Sequence, residues 1–182
     1  RQRQMCIRDS FWSMLQGFQT SGKCIEKAHY RIRYMKSFRP LSVKEDIEFK
    51  EARPILYLNT AAVASLFNSR NAGSTSNRSN WSTIMSYLKS HASYLGLKQD
   101  RFTILLPSGL PDYTIDIVNG EQVKKVKVNR PKALCFDYLQ LKETFGLDLE
   151  TEVVAEVQDM KEVLSDKSDS QPSVPVQQDL SF

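Results

Sequence analysis

The residues whose spacing most suggests chemistry run from Gly17 to Lys23 (Gly-Phe-Gln-Thr-Ser-Gly-Lys), the G-x-x-x-x-G-K pattern of a phosphate loop. In such a loop the glycines let backbone N–H groups wrap a phosphate, the lysine reaches its terminal oxygens, and a following Ser or Thr holds magnesium. Cys24 stands at that last position. A phosphate loop also follows a buried strand, whereas Phe11-Trp-Ser-Met-Leu-Gln has an amphipathic helical pattern. Ala133-Leu-Cys-Phe-Asp137 is the nearest approach to an apolar strand ending in an acid, and it lacks the Asp-Glu ending sought there. The motif therefore reads as a helix-to-helix turn. Asp112 and Asp116 straddle Tyr113 without a second cluster to complete an acid–base pair. Ser108-Gly109 lies outside any Gly-x-Ser-x-Gly frame. The histidines, His29 and His91, are too few for a histidine-based metal site, and His91 reads as a cap or a phosphate contact. Cys6, Cys24 and Cys135 are far apart and odd in number, which argues against a disulfide framework or zinc knuckle and for a reducing, cytoplasmic setting. Cys135, in an apolar run, reads as a small hydrophobe. No catalytic constellation, cofactor or metal is expected.

What remains is charge. The chain has 182 residues, 41% hydrophobic and 25% charged, with a net charge of only +4. That is ordinary globular composition, without the 18–20 consecutive apolar residues needed to span a bilayer. The average hides segregation. Residues 1–39 hold nine basic and two acidic side chains; 70–101 hold five and one; 121–132 hold five and one; 142–169 hold three and nine. Solvated faces account for any single cluster. Two basic clusters flanking one apolar core are more informative, because phosphate backbones are bound largely by such patches.

The elements that must position these charges follow from periodicity and punctuation. Residues 1–10 (Arg-Gln-Arg-Gln-Met-Cys-Ile-Arg-Asp-Ser) look like translated sequencing adapter and are set aside, with the expectation that the chain is the C-terminal piece of something longer. Residues 11–40 read as a helical segment: a short helix over 11–19, then one over 23–38 carrying Ile25, Ala28, Ile32 and Met35 on one face and Lys27, Arg31 and Lys36 on the other. Arg39-Pro40 stops it. Residues 42–54 read as a connector. A strand at 55–58 leads, through an Asn59 or Thr60 cap, to a helix ending at Phe67, then to the polar loop 68–77. Ser79 or Asn80 caps a helix over 80–95, with Trp81, Ile84, Met85, Leu88, Ala92 and Leu95 in an apolar stripe and Gly96 closing it. A strand at 101–106 precedes a hairpin over 113–128 turning at Asn119-Gly120, then a strand at 133–136 and a helix from Asp137 to Phe145 with Gly146 behind it. Residues 147–182 read as an acidic, partly disordered tail.

This order predicts an α+β, winged-helix-like domain over 54–146: a helix-turn-helix with a small antiparallel sheet whose hairpin projects as a wing. The helix over 80–95 would present Ser82, Thr83, Ser86, Tyr87, Lys89, Ser90, His91 and Tyr94, a face without a carboxylate. The wing would carry Lys124, Lys125 and Lys127, and the preceding loop Arg70 and Arg78. If the two sets face the same way they make one cationic surface for double-stranded DNA. The alternatives are plain: a solvated helix face, lysines that only protect a strand edge, or a winged helix used for protein contacts.

Phe11-Trp-Ser-Met-Leu-Gln-Gly-Phe-Gln, the aromatic and basic stretch ending Phe38-Arg39-Pro40, and Leu56-Tyr-Leu-Asn-Thr-Ala-Ala-Val-Ala-Ser-Leu-Phe67 together resemble the C-terminal tails of virulence-associated E-type replication proteins, the primase–helicases of phages and integrated elements. The resemblance covers about residues 11–105. It implies a non-catalytic DNA-binding accessory part of a bacterial or phage mobile-element replication protein, with a replication-protein partner. No ATPase signature is present to carry activity over. Two other readings stay open: a protein–protein adaptor docking through the wing or through the acidic segment 142–169, which can also fold over the basic face, and a truncated helicase or primase.

Overall fold

The computed structural model describes residues 2–71 and 80–149, with side chains over 10–69 and 80–149. The elements are α1 (Gln2–Thr20), β1 (Tyr30–Phe38), β2 (Ile47–Asn59), α2 (Thr60–Asn71), α3 (Trp81–Lys89), β3 (Tyr94–Gln99), β4 (Phe102–Thr103), β5 (Tyr113–Val118), β6 (Glu121–Val126), β7 (Val128–Asn129), β8 (Lys132–Asp137) and α4 (Tyr138–Phe145). The chain is α+β. Its main sheet has four antiparallel strands in the order β1-β2-β8-β3, beside the two-stranded β4-β7 and β5-β6 pairs.

Alternation splits the sheet into two apolar faces. Leu56 and Leu58 of β2 and Leu134 and Phe136 of β8 point to a core filled by Trp12 and Leu15 of α1, Val63 of α2, Ile84 and Leu88 of α3, and Leu141 of α4. Ile55, Tyr57, Ala133 and Cys135, one residue out of phase, point the other way and pack on Phe38 and Phe102. Leu147 and Leu149 close the first core, where the Tyr30 hydroxyl donates to the Leu149 carbonyl at 3.0 Å. Residues 11–40, 54–146 and 147–149 thus share one core, and the remainder of the predicted tail lies outside the described residues.

The largest correction is at 23–38, where a turn over 23–29 and then β1 replace the expected helix. Tyr30, Ile32, Tyr34 and Phe38 are β-formers, and β1 takes its backbone partners from β2 in a register running from Tyr30↔Leu58 to Phe38↔Ile47. The expected winged-helix order thereby loses its first helix. The supposed connector 42–54 supplies the first half of β2, and Pro54 sits just beyond Ile55↔Asp137, where β2 has only β1 for a neighbour and a missing N–H leaves no gap. The third helix ends at Lys89 rather than 95. Ala92 and Leu95 therefore leave the predicted stripe, and Gly96, at φ +134, lies at a register shift in β3 instead of capping a helix. Of the strand expected over 101–106, only Phe102–Thr103 pairs as β4. The helix α1 starts at Gln2, so residues 2–10, set aside in the sequence, are helical.

Other elements follow their local signals. The Asn59 side chain accepts from Ala62 N at 3.3 Å to cap α2, and that of Asn80 accepts from Ser82 N at 3.4 Å to cap α3. Asp137 accepts from Gln140 N at the start of α4, and Gly146 closes that helix at φ +63. Asn119 and Gly120, at φ +54 and +83, form the tight turn of the β5–β6 ribbon.

Candidate nucleic-acid interface

The α3 face is built as expected for its first nine residues. Ser82, Thr83, Ser86 and Lys89 are exposed, with Ser90 at the C-cap, while Ile84 and Leu88 turn into the core. Tyr87 is half-buried. Two hydroxyls are already engaged within the helix: Ser86 Oγ donates to Ser82 O at 3.1 Å and Ser90 Oγ to Tyr87 O at 2.8 Å. His91 and Tyr94 do not belong to this face. His91 packs at a tilt against Phe145, its ring centroid 5.2 Å away, with Nδ1 2.7 Å from Ser93 Oγ, and Tyr94 packs on Phe136 from β3. Arg70 falls near the end of α2 with its side chain outside the described set, and Arg78 is likewise outside the described residues.

The ribbon lysines do not act as one patch. In the β5–β6 register Lys124 pairs with Ile115 and Lys125 with Thr114, so the two side chains take opposite faces. Lys125 Nζ lies 2.9 Å from Asp116 and Lys127 Nζ 2.8 Å from Asp112, while Lys124 sits over the Tyr113 ring at 4.2 Å. The ribbon is also rooted away from α3. The segment after β3 crosses the second face of the sheet: Phe102 is fully buried there, Thr103 N donates to Lys27 O at 2.8 Å, and Ile104 N to Lys127 O at 2.9 Å. The helix packs on the first face and this strap on the second, so α3 and the ribbon base are anchored on opposite sides of the sheet.

The strap gathers cations that the sequence placed in three separate clusters. Phe102↔Asn129 and Thr103↔Val128 pair β4 with β7, and Asp100 N donates to Pro131 O, which sets Arg101 opposite Arg130. With Phe102 turned inward, both arginines are exposed. Arg31 reaches over from β1, its Nη1 donating to Arg101 O at 2.7 Å. Asp100 is taken up by the Arg33 fork at 2.8 and 2.7 Å. Charge composition alone could have flagged these residues; register was needed to assemble them.

Neither of the two described thiols is activated. Burial pushes the Cys24 thiol up to about 12 and raises that of Cys135 as well, so neither offers a thiolate. Gly17 lies inside α1 and Gly22 in the turn after it, not between a strand and a helix, so the phosphate-loop pattern has no loop to form. Among the described residues no three His, Cys, Asp or Glu side chains are grouped to hold a metal ion, and no helix is long and apolar enough to cross a membrane. No family model matches the chain, and no curated protein or solved structure is significantly similar to it.

Proposed function

We propose that the folded unit is a non-catalytic nucleic-acid-binding domain with double-stranded DNA as its ligand, the cytoplasmic accessory part of a mobile-element replication protein that its sequence resembles. The observation that carries this is a surplus of basic side chains: residues 10–149 hold twenty basic and twelve acidic residues. Among the described residues five ion pairs engage five of the cations. A folded unit with such an excess attracts phosphate backbones at long range. Of the winged-helix scheme the proposal keeps the α2–α3 pair and the projecting β5–β6 arm, and drops the single surface joining them. Fluorescence anisotropy of a labelled duplex with the full chain tests it. The expected result is binding whose log K falls linearly with log salt, at a slope of roughly −3 to −5 for a handful of phosphate contacts. Absence of salt-dependent binding at low ionic strength overturns it.

One observation favours a second reading, a protein–protein adaptor. All twelve strand residues of the ribbon are exposed, Ile115 and Ile117 at 68% and 75%. They share a face with Tyr113 and Val126, a grouping more typical of protein contacts than of a solvated arm.

A further inference from the structure

We propose that Arg31, Arg101 and Arg130 form a seat for a backbone phosphate of the nucleic acid, an inference that rests on the functional reading above and names its point of contact. Two arginines directly opposed across an antiparallel pair repel each other, and such pairs are ordinarily avoided. Here they are held in that position by the buried Phe102 and by the β4–β7 register, with no carboxylate at ion-pair distance from either among the described residues. Asp100, next to Arg101 in the chain, is already bound by Arg33 Nε and Nη2 and by Arg101 N at 2.8 Å. Arg31, fixed to the Arg101 carbonyl, adds a third guanidinium. A phosphate diester offers its anionic oxygens to guanidinium forks and offsets the repulsion between the opposed arginines.

The α3 face is independent of this seat, so the two can be tested apart. Arg101→Gln and Arg130→Gln, in the full chain, are compared with wild type for duplex binding across a salt series and for thermal stability. Each variant is expected to bind about three- to tenfold more weakly at low salt and to flatten the salt slope by about one. Each is also expected to melt no lower than wild type, because a like-charge pair has been relieved. Wild-type binding with an unchanged slope in both variants overturns the seat and leaves the nucleic-acid reading standing. A wild-type chain that binds no duplex or single strand, yet binds vesicles containing phosphatidylserine in an Arg101-dependent way, overturns both. A clear loss of melting temperature in both variants also overturns the seat, since the arginines would then be structural.

Discussion

His29 is buried, and its Nδ1 accepts a hydrogen bond from Ile25 N at 3.0 Å in the turn that sets up β1. An accepting Nδ1 requires the neutral ring, with its proton on Nε2. Burial disfavours the imidazolium and lowers the pKa from the ordinary 6.5. The native state therefore binds a proton less readily than the unfolded chain. The stabilisation is complete above 6.5 and is lost as pH falls from there through the lower native value. Thermal melts should show the wild type losing stability between pH 7.5 and 5.5, with His29→Asn, which keeps a short acceptor, losing less over the same interval. Equal pH dependence of the two proteins would show that the imidazole is not responsible.

A tightly constrained joint between elements lies where the loop after β1 meets β3. Leu41 N donates to Leu97 O at 2.8 Å, and Pro40 lies so close to Gly96 that a Cβ there would stand 2.7 Å from the Pro40 Cβ. Gly96→Ala adds that clash to a positive φ and should destabilise by about 1–3 kcal/mol in denaturant unfolding. Adding Pro40→Gly, which removes the Cβ that the new methyl would strike, should cost less than the sum of the two single changes, because they share the contact. Gly96 also marks the limit of what was legible. Elements with their own punctuation were readable: α4 between Asp137 and Gly146, the Asn119-Gly120 ribbon, the start of α2. The strand β1 was not, because Ile25, Ala28, Ile32 and Met35 fall at helical spacing and only pairing with β2 resolves the ambiguity. The α3 hydroxyl face could be read from one helix. The arginine seat draws on β1 and the β4–β7 pair, so no local pattern announces it.

At the scale of the whole molecule, the second apolar face is sealed by one side chain of the crossing strap. Phe102 is fully buried against Tyr57, Ala133 and Cys135. Phe102→Ala should cost about 3–5 kcal/mol in a denaturant melt. Because the same residue holds Arg101 and Arg130 in place, it should also weaken duplex binding even at temperatures where the protein stays folded. Normal affinity in a destabilised variant would uncouple strap from ligand. The strand order has a separate bearing on biosynthesis. Among the described strands β8 is the last in chain order, and it is inserted between β2 and β3. Until Lys132–Asp137 leaves the ribosome, both of those strands expose an inner edge with nothing to pair with. At roughly 5–20 residues per second, that leaves the nascent β2 waiting for several seconds, a window in which chaperones rather than the native contacts must keep the chain from aggregating.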